Sequence, residues 1–99
     1  MEKEIRLIWK KRANNSVKSI FEYIAQENPQ NAETFVLRMI AFGEKLSVLP
    51  PKYAPCRYRR FENRGYFCVV FEKNYVLVFR FKQDTIFICN VIHTSRLLT

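Results

Sequence analysis

Residues 66–92 read YFCVVFEKNYVLVFRFKQDTIFICNVI, three apolar runs separated by two short polar breaks. Tyr66–Phe71 stops at Glu72-Lys73-Asn74, Tyr75–Phe81 stops at Lys82-Gln83-Asp84, and Thr85–Ile92 closes on His93-Thr94-Ser95-Arg96. Runs of β-branched and aromatic residues with such breaks predict a meander of antiparallel hairpins. The first and third runs are apolar on both faces, while the middle one sets Arg80 and Lys82 against Phe79 and Phe81.

Upstream of the meander, residues 52–64 are basic and irregular. Lys52, Arg57, Arg59, Arg60 and Arg64 alternate there with Tyr53, Tyr58 and Phe61. Before them Phe35, Met39, Phe42, Leu46 and Leu49 recur at steps of four, three, four and three, the spacing of one helical face. Asn28-Pro29 marks the start of that helix, a capping residue and then a proline at the first helical position. Pro50-Pro51 forbids its continuation. Gly43 inside it costs about 1 kcal/mol against alanine and permits a close contact. An earlier stripe, Ala13, Val17, Ile20 and Ile24, predicts another helix that Asn14 or Asn15 can cap and that stops near Gln26. Two helices joined by so short a link fold back as an antiparallel hairpin. At the beginning, Lys3–Trp9 alternates Ile5, Leu7 and Trp9 with Glu4 and Arg6, a strand with one buried face, ended by Lys10-Lys11-Arg12.

The expected fold is therefore α+β with the order β-α-α-β-β-β over residues 1–99 as a single domain. The last three strands form an antiparallel sheet, the first strand lies at one edge, and the helical hairpin covers one face. The other face is expected to lie bare, exposing basic and aromatic side chains.

Composition supports a packed domain and excludes several classes. The 99 residues suffice for one domain, and 48% hydrophobic with 15% aromatic content argues against disorder. No stretch approaches the ~20 apolar residues of a membrane span. The start Met1-Glu2-Lys3-Glu4 lacks the layout of a secretory signal, so a cytoplasmic location is expected. Cys56, Cys68 and Cys89 are odd in number and lack metal or redox spacing. Cys68 and Cys89 fall in apolar runs and are expected as buried, reduced thiols. With one histidine and two glycines, neither a metal, a nucleotide loop nor any other cofactor is expected.

The net charge of +8 is unevenly placed: residues 13–50 carry three basic and four acidic groups, residues 51–99 nine and three. A one-sided excess suits a phosphate backbone or an acidic protein surface. The candidate contacts are Arg57, Arg59, Arg60 and Arg64 with Tyr58, since guanidinium pairs with phosphate and aromatic rings stack on bases. The same arginines also suit the acidic groups of a protein partner. Imidazole is the side chain suited to acid–base work near neutrality, which makes His93 a catalytic candidate or a strand-end cap. Arg96 can hold a phosphate or carboxylate through two parallel hydrogen bonds, or end its strand in solvent.

Several stretches together resemble the RelE/ParE superfamily of type II toxin–antitoxin toxins. They are Ile8-Trp9-Lys10 with the basic-Ala step after it, Ile20-Phe21-Glu22-Tyr23-Ile24, and Asn28-Pro29-Gln30-Asn31-Ala32. Downstream follow Leu46-Ser47-Val48-Leu49-Pro50, Asn63-Arg64-Gly65, Lys73-Asn74-Tyr75, Val78-Phe79-Arg80 and Val91-Ile92-His93-Thr94-Ser95-Arg96. The match covers nearly the whole chain in the family's order, and the joint order carries it.

The resemblance implies a growth-inhibiting toxin with a cognate antitoxin. ParE-like members poison DNA gyrase by protein contact, whereas RelE-like members cut messenger RNA on the ribosome without a metal. In the nucleases an arginine typically follows the tyrosine of the middle meander strand; here Val76 stands there, which favours the ParE-like reading. Arg80, on the same face four residues on, is the residue that would compensate, with His93 and Arg96 completing a nuclease set. A non-toxic antitoxin-binding module is the remaining alternative.

Overall fold

The computed structural model describes residues 5–47 and 54–97. The element order is β1 (Arg6–Trp9), α1 (Lys11–Ala25), α2 (Pro29–Lys45), β2 (Phe67–Phe71), β3 (Tyr75–Lys82), β4 (Thr85–His93) and a closing 3-10 turn (Thr94–Arg96). That is the expected α+β order. The expected roles of Leu49, Pro50, Pro51, Lys52 and Tyr53 lie outside the described residues.

The four strands form one sheet in the order β1-β4-β3-β2. The meander β2-β3-β4 is antiparallel, while β1 joins the free edge of β4 in parallel, Arg6 opposite Thr85 and Trp9 opposite Ile88. The sheet is therefore mixed, and an alternating strand alone cannot announce this, because its pattern reads the same in both directions. Gln83 and Asp84, both with positive φ, make the two-residue turn between β3 and β4.

Helix α1 begins at Lys11, earlier than a cap at Asn14 or Asn15 would place it. Lys10 is its N-cap and offers no side-chain hydrogen bond. Asn28 caps α2 as expected, accepting from the Asn31 amide at 3.1 Å, with Pro29 in the first turn.

The helical hairpin packs on one face of the sheet. Its main core holds Ala13 of α1, Met39 and Leu46 from α2 and its end, and Phe71, Leu77, Phe79, Ile86, Ile88 and Val91 from the sheet. Val17, Ile20, Phe35 and Phe42 border it, so both helical stripes face inward. Phe79, with no solvent exposure, contributes about 2–3 kcal/mol through burial. Gly43 meets the Trp9 ring: a Cβ there would lie 2.5 Å from Trp9 Cζ2.

β4 carries a bulge. Val78 pairs with Asn90 and Phe79 with Ile88, so Cys89 has no partner of its own on β3. The extra residue shifts the alternation. Ile86 and Ile88 enter the main core before it and Val91 after it, while Ile92 faces the opposite side.

The opposite face is not bare, which corrects the expectation above. Val76 and Val78, both without solvent exposure, form a second core there with Ile92 and Leu97. Tyr58, Phe61, Tyr66 and Cys68 pack against it. The irregular arginine-rich segment thus folds back as a cover, its rings turned inward. Helical or strand periodicity could not reveal this, because the segment has neither.

The cysteines depart from expectation as well. Cys68 is joined to Cys56 in a disulfide spanning 12 residues, rather than being a reduced thiol. Cys89 is free and half-buried. Position in an apolar run registers a cysteine's burial but not its partner, and Cys56 reaches Cys68 only once the cover has folded back. No helix among the described residues is long and apolar enough to cross a membrane.

Candidate functional site

A groove of about 760 Å³ runs between α1 and the end of β4. Asn90–His93 and Tyr75 line it from the sheet, Arg12, Ser16, Ser19 and Tyr23 from α1, Ser95 and Arg96 from the closing turn, and Arg60 from the cover. Its position follows from the elements. The strand ends where the sheet meets the helix, and the cover delivers Arg60 to the same rim.

Arg12 was not singled out by sequence, where it is one of three consecutive cations after β1. Its setting carries information. The first turn of α1 holds Lys11 and Arg12 and no acidic residue, although the free amides there favour anions. Local charge preference is violated, and the result is a rim with cations and a helix amide end on the same side. Such local conflicts concentrate at functional sites.

Asn90 is the buried polar residue at the groove floor. Its Oδ1 accepts from Ser16 Oγ at 2.9 Å and from the Val91 amide at 2.9 Å, tying α1 to the bulged part of β4. Tyr75, beside it, has its phenol pushed above the ordinary value by burial, with the nearby Tyr23 phenol adding to the effect.

His93 caps the 3-10 turn. Its Nδ1 accepts the Ser95 amide at 3.1 Å and lies 2.8 Å from Ser95 Oγ, and its ring stands edge-on to Tyr75 with centroids 5.1 Å apart. An Nδ1 that accepts an amide leaves the imidazole proton on Nε2. In this arrangement His93 is placed to orient Ser95 and Arg96, and the Nδ1 lone pair is not free to take a proton from a substrate. Arg96 itself is exposed at the rim.

Arg80 is engaged elsewhere. Its guanidinium lies 4.1 Å from the centre of the Tyr66 ring and donates to the Arg64 carbonyl at 3.1 Å. It fastens the cover rather than lining the groove. Cys89 lies within electrostatic reach of Arg80 and Lys10; burial raises its thiol above the ordinary value, and those cations offset part of the rise.

The arginine group expected from residues 57–64 divides. Arg60 joins Arg12 and Arg96, lying also 5.2 Å from the Phe61 ring centre. Arg57 borders a separate hollow with Glu62 and Gly65. Arg64 is held through its carbonyl near Arg80, and Arg59 is exposed apart from both hollows. Tyr58 is half-buried against the second core. The structure thus gathers His93, Arg96 and Arg60, and adds Arg12, Tyr75 and Tyr23, which the sequence did not single out as site residues.

The comparisons bear on this arrangement. No curated protein matches the sequence. A solved structure described as the chromosomal ParDE TA system from P. aeruginosa shares the fold, with a TM-score of 0.76 and 21% identity over 91% of this chain and 96% of that one. Residues 7–98 match the family described as the ParE toxin of the type II toxin-antitoxin system, parDE. With its order of elements retained over that whole span, the chain belongs to the ParE toxin family of type II toxin–antitoxin systems.

Proposed function

We propose that this protein inhibits growth in the cytoplasm by poisoning DNA gyrase through protein contact, and that a cognate antitoxin neutralises it. The observation that carries this reading is Val76. The position where RelE-like nucleases hold an arginine is occupied by an apolar side chain with no solvent exposure, part of a core against which Tyr58 and Phe61 pack. Metal-free RNA cleavage needs a base for the 2′-OH and cations for the phosphorane. Arg80 is committed to Tyr66 and Arg64, and His93 Nδ1 to the Ser95 amide. What remains exposed is a cationic rim suited to an acidic surface.

The groove also supports a second reading, a ribosome-dependent endoribonuclease, because His93 Nε2, Arg96, Arg60 and Tyr75 border one space. Two assays separate the readings. Purified protein added to gyrase and supercoiled DNA is expected to accumulate cleaved complexes, and primer extension on translating messenger after induction is expected to show no codon-phased cuts. Phased cuts without gyrase complexes would install the nuclease. Neither effect, with normal growth, would leave an antitoxin-binding module.

A further inference from the structure

We propose that Cys56 and Cys68 form a reversible thiol–disulfide site, opened from the hollow beside Cys56 by a small thiol of the glutathione class. This inference is independent of which target the toxin acts on. The two sulfurs sit in unequal surroundings. Cys68 is partly exposed and packs against the second core beside the rings of the cover. Cys56 is only 3% exposed, yet it borders a hollow of about 330 Å³ flanked by Arg57, Glu62, Asn63 and Gly65. Disulfide exchange requires a thiolate to reach one sulfur, and the hollow gives it an approach on the Cys56 side.

The chemistry balances with that thiol as reductant. Its thiolate attacks Cys56 Sγ, the Cys56–Cys68 bond breaks, and the Cys68 sulfur leaves with the electron pair and takes a proton from water. A second thiolate attacks the outer sulfur of the mixed disulfide. It releases the oxidised small-molecule disulfide and returns Cys56 as a thiol. Two small thiols are oxidised and one protein disulfide is reduced.

Opening the bond acts on the cover. The segment from Cys56 to Tyr66 bears Arg57, Arg59, Arg60 and Arg64 on one loop, and the disulfide closes its base. Beside the disulfide, that base is held by the Cys56 amide on the Tyr66 carbonyl at 2.9 Å and the Pro55–Phe67 bridge. A covalent tie across a short loop removes open conformations that these contacts, the Arg80 hydrogen bond to the Arg64 carbonyl and the packing of Tyr58 and Phe61 leave accessible. Reduction therefore loosens the loop that supplies Arg60 to the groove rim.

The test uses the full chain purified without reductant. Alkylation after unfolding should find one free thiol, Cys89, and three after complete reduction. Trypsin cleavage after Arg57, Arg59, Arg60 and Arg64, relative to cleavage after Arg38 on α2, should rise about tenfold when glutathione reduces the bond. Cys68→Ser should reproduce the rise, and the reduced wild-type chain carries the test if that variant does not fold. Three free thiols that persist under glutathione disulfide, or an unchanged cleavage pattern after full reduction, would overturn the site.

Discussion

The Arg80 guanidinium lies 4.1 Å from the centre of the Tyr66 ring, and this stacking fastens the arginine-rich cover to the sheet. The relationship changes the meaning of both residues. Arg80 shares a strand face with Val76, yet its charge is spent on the Tyr66 ring and on the Arg64 carbonyl. Tyr66 in turn meets Phe61 at 5.2 Å, which extends the contact into the cover.

Arg80→Ala is expected to lower stability by about 1–2 kcal/mol, the sum of one stacked cation and one hydrogen bond. Urea unfolding measures this. A variant that lost growth inhibition with its unfolding midpoint intact would instead assign Arg80 to the target surface.

Val76→Arg tests whether the buried position tolerates the nuclease residue. Val76 has no solvent exposure, and an unpaired cation there should cost more than about 4 kcal/mol. The expected outcome is loss of cooperative thermal unfolding and no gain of codon-phased cleavage. A stable, folded variant would mean that the cover opens readily at this point.

Gly43→Ala should destabilise by about 1–3 kcal/mol despite alanine's better helix propensity. The added methyl would lie 2.8 Å from Trp9 Cη2 and 3.1 Å from Ile88 Cδ1, where α2 crosses the sheet. Pairing it with Trp9→Phe should recover part of the loss, read from urea midpoints.

Arg96→Ala and Arg12→Ala are each expected to weaken growth inhibition while leaving the melting temperature within about 2 °C, as befits exposed side chains. His93→Ala should cost about 1 kcal/mol because the cap on Ser95 and the contact with Tyr75 are lost. Its effect on growth inhibition then operates through the placement of Arg96. Growth curves after induction, paired with calorimetry, decide between these outcomes.

Burial raises the Cys89 thiol above its ordinary value. Alkylation by iodoacetamide in the folded chain should therefore be slower at neutral pH than for a free peptide thiol, and should accelerate with pH above the ordinary thiol range. The folded form holds this proton more tightly than the unfolded chain. Its contribution to stability is thus complete below the ordinary thiol value and is lost as pH rises through the raised one.

Much of the fold was legible along the chain. The stripes through Ala13 and Met39, the Asn28-Pro29 start and the three runs after Gly65 are local patterns, and a repeating side-chain period survives whatever the neighbours do. The site was less so. His93 and Arg96 stood out by residue type, whereas Arg12, Tyr23 and Tyr75 joined them only through folding. Nothing in a sequence spacing relates the start of α1 to the end of β4.

Residue order alone determined the β-α-α-β-β-β succession, the inward faces of both helices and the excess of cations after residue 50. Those properties depend on backbone period and residue type, which are local quantities. Tertiary structure decided that β1 runs parallel to β4, that Cys89 bulges, that Cys56 meets Cys68, and that Tyr58 and Phe61 turn the arginine segment into a lid over Val76. Each of these depends on which distant surface a segment finds, and that is set by the apolar area two segments can bury together.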